Sequence, residues 1–216
     1  MGGVADDDRT DWVEWHDAYR DPESPLSSRL AIVQRLIGEA LDGTVGEVRV
    51  ISVCAGAGKD LLGVLAGRSD RSRVHALLVE ADARLAARAQ GTARANRCQH
   101  VRVLVGDAAL TDAYAGAVPA DVVLVCGVFG SIADDDIERT IAALPQLCRE
   151  GAEVIWTRHR GHPDLTPSVR RWFAAAGFDE LAFTSAGPGS FAVGMHRLAR
   201  EGDVLVPGVR LFSFFR

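Results

Sequence analysis

VRVISVCAGAGKDLLGVL, residues 48–65, is the stretch whose reading decides the fold. Val48, Val50, Ile51 and Val53 form a β-branched run suited to a strand covered on both faces, and Leu61, Leu62 and Leu65 then recur at helical spacing. Between the two periods lie Gly56 and Gly58, where the chain turns sharply with no Cβ in the way. A ligand can approach such a turn closely and meet N–H groups at the start of the following helix. A strand, a glycine turn and a helix start together predict a nucleotide-sized binding turn, with the ligand still unspecified.

Upstream, residues 1–10 carry three consecutive aspartates and two glycines, so they are expected to be a disordered tail. Trp12, Trp15, His16 and Tyr19 then fall at i, i+3, i+4 and i+7, one helix face with three aromatics. Pro22 and Pro25 are expected to break that helix, and Ser27 or Ser28 to cap a second one from 29 to about 41 that turns Leu30, Val33, Leu36 and Ile37 inward.

Downstream, HALLVEAD, VRVLVGD, ADVVLVCG and EVIWT read as further strands, the first two of them ending in acid at Glu80 and Asp107. Helices are expected over 83–96, from the Asp134, Asp135, Asp136 run onward, and over 167–176. The aspartate run suits a helix start, where negative charge meets the positive end of the dipole, so no metal is expected there. FDELAFTS and SFAVGMHRL, separated by Gly187, Pro188 and Gly189, are placed to pair antiparallel. The tail from 204 to 215 is apolar without period, an edge strand or a cover.

Strand and helix alternate five times before that terminal pair. The expected fold is α/β, a doubly wound, mainly parallel seven-stranded sheet with a C-terminal antiparallel strand, helices on both faces and right-handed crossovers. One domain over 11–216 follows, with an N-terminal helical part (11–44), a Rossmann-like core (45–200) and a C-terminal extension (201–216). Ligands of such sheets lie outside the carboxyl ends of the strands, at the switch point.

Composition narrows the function. A formal net charge of −5 argues against an electrostatic nucleic-acid binder, and no apolar run is long enough to span a bilayer. The acidic, polar N-terminus is unlike a secretory signal, so a cytoplasmic protein is expected. Cys54, Cys98, Cys126 and Cys148 form no C-x-x-C pair, and neither a disulfide nor a zinc site is expected.

With these strand ends in place, the chain resembles the class I S-adenosylmethionine-dependent methyltransferases from about 48 to 198. Their first motif, an acid, one residue and then G-x-G-x-G, is matched by Ser52, Val53, Cys54, Ala55, Gly56, Ala57, Gly58, with Ser52 replacing the acid and Cys54 the first glycine. The resemblance implies S-adenosylmethionine as cofactor. It places Glu80, with Ala81 beside it, on the ribose hydroxyls, Asp107 on the adenine amino group with the Ala108 N–H toward the ring, and Cys126, Gly127 and Val128 along the methionine side. An acid about 20 residues beyond the glycine turn is also the general mark of ribose binding.

Two other readings stay open. A nicotinamide-dependent oxidoreductase shares the glycines and the acid, but its third glycine would fall on Leu61. A non-catalytic ligand-binding domain would keep the fold without the reaction. For methyl transfer, positioning supplies much of the catalysis and a base is needed only for a protonated acceptor. CGVFGS, residues 126–131, lacks the N-P-P-Y pattern of amino-methylating enzymes, so the expected acceptor is a small molecule. His159, in the basic loop Arg158, His159, Arg160, His162, is the candidate base, and a solvated loop is the plainer reading. The N-terminal helices are expected to lie over the cofactor, with Tyr19 and Arg29 reaching its methionine end. A remote hydrophobic flank or a homodimer contact is the alternative.

Overall fold

The computed structural model describes residues 21, 24–185, 187 and 190–215. Residues 1–20 lie outside them, and with them the aromatic face of Trp12, Trp15, His16 and Tyr19 and the expected disordered tail. In chain order the elements are α1 (Pro25–Gly43), β1 (Val48–Val53), α2 (Lys59–Ala66), β2 (Val74–Glu80), α3 (Ala83–Ala95), β3 (Val101–Val105), β4 (Ala120–Val125), α4 (Asp134–Ala143), β5 (Cys148–His159), α5 (Thr166–Ala175), β6 (Phe178–Ser185) and β7 (Phe191–Leu198).

The seven strands form one sheet in the order β3-β2-β1-β4-β5-β7-β6. β1 pairs parallel with β2 and β4, β2 with β3, and β4 with β5, whereas β7 runs antiparallel to both β5 and β6. The expected fold class is therefore borne out. The strand order reverses between β1 and β4, so the switch point, the crevice where ligands of such sheets lie, is at the carboxyl ends of these two strands.

Alternate strand residues build two apolar layers, as a sheet covered on both faces requires. Ile51, Val53, Leu77, Val79, Val123, Val154 and Trp156 pack with Ile137 and Ile141 of α4 and Phe173 of α5. Val48, Val50, Leu78, Val122, Leu124 and Ile155 pack with Leu36 and Ile37 of α1, Leu61, Leu62 and Leu65 of α2, and Ala89 of α3. Each fully buried aliphatic side chain contributes about 1.5 to 3 kcal/mol of transfer free energy, so these layers carry the fold.

Two boundaries differ from the sequence reading, and the tail takes one of the two forms it left open. Helix α1 starts at Pro25, because Ser24 is its cap and accepts from the Ser27 N–H at 3.1 Å. A proline in the first turn gives up no helical hydrogen bond, so Pro25 opens this helix instead of standing ahead of it as a breaker. Strand β5 begins at Cys148, five residues early; the register shifts between the Ala120–Cys148 and Val122–Glu153 pairs, so the polar 149–151 segment bulges out of the ladder, with Gly151 at φ 77°. The C-terminal tail is a cover and forms no named strand. Its bridges pair Arg210 with Leu110 and Phe214 with Ile132, so it crosses the loops that follow β3 and β4. Leu211 and Phe212 are buried in the α4 layer.

All four cysteines are free thiols. Among the described residues no helix is long and apolar enough to cross a membrane, and no group of three or more His, Cys, Asp and Glu could hold a metal ion.

Candidate functional site

The β1 turn takes a left-handed backbone at three alternate positions, Cys54 (φ 52°), Gly56 (φ 56°) and Gly58 (φ 67°). Cys54 therefore adopts the conformation for which the family motif carries glycine, at a cost of about 1 kcal/mol or more for a residue with a Cβ. A Cβ on Gly58 would come within 2.9 Å of Leu62 Cδ1 and Leu78 Cδ2, so glycine there seats α2 directly on the sheet.

Glu80 closes β2 and is 9% exposed. Its Oε2 accepts from the Gly56 N–H at 2.7 Å and its Oε1 from the Asp82 N–H at 2.8 Å. The carboxylate thus ties the glycine turn to the β2 end, and each oxygen keeps a second lone pair for a ligand donor. Asp82, by contrast, caps α3, accepting from the Arg84 and Leu85 N–H groups at 2.7 and 3.4 Å.

Asp107 lies beyond β3, and its Oδ1 accepts from the Ala109 N–H at 2.9 Å. Behind it the buried Tyr114 hydroxyl donates to the Ala108 carbonyl at 2.6 Å. Burial pushes the Cys54 thiol far up, and the charges of Glu80 and Asp107 push it further. Glu80 thus bonds the glycine turn directly, the Asp107 charge is felt at Cys54, and Cys54 stays a neutral thiol.

On the β4 side, Gly127 (φ 83°) donates its N–H to Thr157 Oγ1 of β5 at 2.8 Å, which fixes the loop carrying Cys126 and Val128. The Cys126 thiol is likewise held protonated, by burial first and by Asp60 next. Asp60, in the first turn of α2, is raised by burial and eased by its Leu61 N–H contact at 2.7 Å and by the charge of Arg29. Gln34 Nε2 donates to the Lys59 carbonyl at 2.8 Å, so α1 is pinned to α2 and brings Arg29 to this end of the crevice.

At the end of β5, Arg158 is 7% exposed and donates through Nη1 to the Phe129 carbonyl, holding the β4 loop from beneath. His159 Nδ1 accepts from the Gly161 N–H at 3.1 Å, which leaves the proton of the neutral imidazole on Nε2. Burial lowers its pKa, the Arg158 charge lowers it further, and Asp164 opposes. At neutral pH His159 is a hydrogen-bond donor, with its basic nitrogen already engaged.

Residues 26–174 match the profile of a family described as "Putative methyltransferase". The chain belongs to this methyltransferase family. No curated protein matches it. Its fold is shared with the CurJ carbon methyltransferase (TM-score 0.70, 14% identity, 88% of this chain and 59% of that one). It is shared too with the magnesium protoporphyrin IX methyltransferase ChlM of Synechocystis PCC 6803, solved with bound SAM (TM-score 0.67, 14% identity, 91% and 99%). A third is Aeropyrum pernix fibrillarin with natively bound S-adenosyl-L-methionine (TM-score 0.54, 15% identity, 75% and 74%). The resemblance read from the strand ends is thus borne out for family and fold.

In this methyltransferase Cys54, Ala55, Gly56 and Gly58 follow β1, Glu80 and Ala81 stand at the end of β2, Asp107 and Ala108 follow β3, and Cys126, Gly127 and Val128 follow β4, while Arg29 lies on α1, which packs on α2. Tyr19 lies outside the described residues. Leu61, where a dinucleotide fingerprint would need its third glycine, is wholly buried in the α2 layer. Three residues escaped the sequence reading: Asp60, signalled only as an acid in the first turn of α2; Thr157, which accepts the Gly127 N–H; and Arg210, with no local signal.

Proposed function

We propose that this methyltransferase transfers the methyl group of S-adenosylmethionine to a small-molecule acceptor in the cytoplasm. The observation that carries the reading is the bond from the left-handed Cys54–Gly58 turn to Glu80 at the end of β2, with Asp107 following the adjacent strand β3, an arrangement suited to a ribose and a base side by side. Bound there, S-adenosylmethionine would supply an electrophilic methyl carbon, with the sulfonium sulfur as a leaving group that keeps the carbon–sulfur electron pair as a neutral thioether. Glu80 would hold the ribose, Asp107 and the Ala108 N–H the adenine, and Arg29, Asp60 and the Cys126–Val128 loop the methionine end. The chain's contribution is then mainly positioning.

An acceptor carrying a proton must lose it to a base or to water, and His159 can be that base only by giving up the Gly161 N–H. In its present tautomer it would orient an acceptor by donating from Nε2. The small-molecule reading is supported by the CGVFGS loop after β4 and by the net charge of −5, which disfavours a polyanionic partner.

Calorimetry with S-adenosylmethionine, S-adenosylhomocysteine and NAD tests the cofactor, with micromolar binding of the first two, about −8 kcal/mol, expected. Heat with NAD alone would return the oxidoreductase reading. A screen of small acceptors with labelled methyl donor tests the reaction. Binding with no transfer to any acceptor class would favour a non-catalytic domain.

A further inference from the structure

Resting on the reading of the crevice as a site for S-adenosylmethionine, we propose that Arg210 of the C-terminal extension is a positioning residue that orients Asp107 for the adenine ring and so sets the preference for adenine over other bases. Arg210 Nη2 donates to Asp107 Oδ2 at 2.9 Å, across 103 positions of sequence, while Asp107 Oδ1 is held by the Ala109 N–H. Two donors, one on each oxygen, fix the plane of the carboxylate and leave one in-plane lone pair on each oxygen for a ligand.

The extension that presents Arg210 is tied down on either side of it. The Leu211 N–H donates to the Ala109 carbonyl at 2.8 Å, and the Thr111 N–H to the Val209 carbonyl at 3.1 Å. Thr111 Oγ1 also accepts from the Val209 N–H at 3.1 Å. These bonds flank Arg210 and bind it to the 107–112 loop, and the buried Leu211 and Phe212 anchor the strap to the core. Arg210 itself adds little to folding, since its side chain is 51% exposed and that of Asp107 47%. Exposed ion pairs of this kind stabilise by a small amount. What the pair does control is where an otherwise half-exposed carboxylate points.

Base discrimination is the consequence. Adenine offers an exocyclic amino donor to Asp107, whereas hypoxanthine offers a carbonyl oxygen, and two acceptors would then face one another. A site that aims a fixed acceptor at a donor rejects the analogue lacking it far better than one with a loose acceptor.

The test is calorimetry on the full-length protein with S-adenosylhomocysteine and S-inosylhomocysteine, comparing wild type with Arg210→Met and Arg210→Lys. Arg210→Met should weaken S-adenosylhomocysteine about 5- to 20-fold and reduce the adenine preference by a similar factor, as expected for loss of one charge-assisted contact. Arg210→Lys, which keeps the charge without the planar fork, should retain part of the preference. An unchanged preference in Arg210→Met overturns the proposal, whether both affinities fall together, as for a simple brace, or neither moves. Wild type binding neither ligand would instead overturn the cofactor reading, and the role of Arg210 with it.

Discussion

Trp156 Nε1 donates to His196 Nδ1 at 3.1 Å, so the neutral imidazole carries its proton on Nε2, 3.6 Å from Glu180 Oε2. The ring is 1% exposed and stacks on Phe173 at 4.3 Å. Glu180 is held in turn by Arg170 through Nε and Nη2, at 2.5 and 2.7 Å. Burial lowers the His196 pKa from 6.5 to about 4, against the pull of Glu180 and with the push of Arg170. This row crosses from β5 through β7 and β6 to α5, so it braces the antiparallel end of the sheet away from the crevice.

Because the folded state keeps His196 neutral where the unfolded chain protonates it, stability is full above pH 6.5 and falls as pH drops toward 4. The loss should reach about 3 kcal/mol across that window. Glu180, held below its usual pKa by Arg170, adds a further loss at lower pH. His196→Asn keeps an acceptor near Nδ1 and removes the titration, so its urea-unfolding free energy should vary much less between pH 6.5 and 5. An equally steep decline in the variant would show that other groups set the acid limit.

Glu80 accepts a backbone N–H on each oxygen, which separates it from Asp82. Glu80→Gln is nearly isosteric, yet its amide NH2 must face the Gly56 or the Asp82 N–H. Leaving those donors opposed should cost about 1 to 3 kcal/mol of stability and weaken S-adenosylhomocysteine clearly. Asp82→Ala removes a helix cap, about 1 kcal/mol, and should leave the affinity nearly intact. Denaturation and calorimetry read both effects, and equal ligand affinities in the two variants would separate Glu80 from the site.

Cys54 holds a left-handed backbone at φ 52° despite its Cβ. Cys54→Gly relieves that strain, about 1 kcal/mol, but adds about 0.5 to 1 kcal/mol of chain entropy to the unfolded state, so stability should change little. Cys54→Val puts a β-branched residue in the same region and should destabilise by about 1 to 3 kcal/mol. Valine tolerated as well as glycine in chemical denaturation would mean that the turn relaxes to another conformation.

The parallel core and its glycine turn were legible because each buried strand is a continuous apolar run ended by turn residues. Glu80 and Asp107 followed as the acids closing two of those runs. What local pattern could not show is long-range. Asp60 reads as an ordinary helix-start acid until α1 packs on α2 and brings Arg29 to it. Arg210 reads as one more arginine of a periodless tail until the strap folds over 103 residues to Asp107. Pro25 misleads for a local reason, since the same residue that stops one helix is well suited to open the next.

His159 tests whether this methyltransferase needs a base. The Gly161 N–H occupies its Nδ1, and burial and Arg158 keep the ring neutral, so Nε2–H faces outward as a donor beside Gly130. A glutamine places an NH2 donor near the Nε2 position and cannot accept a proton at neutral pH, whereas alanine provides neither function. If His159 orients the acceptor, His159→Gln should retain most of the turnover that His159→Ala loses, about tenfold for one neutral hydrogen bond. A base would instead show about 10²- to 10⁴-fold loss in both variants, together with disappearance of the acid limb of the kcat profile. Affinity for S-adenosylhomocysteine should stay constant throughout, because His159 stands at the end of β5, apart from the residues proposed for the cofactor at the ends of β1 to β4. Equal, large losses in the two variants would therefore show that the Gly161 contact opens during turnover and that His159 does take the proton.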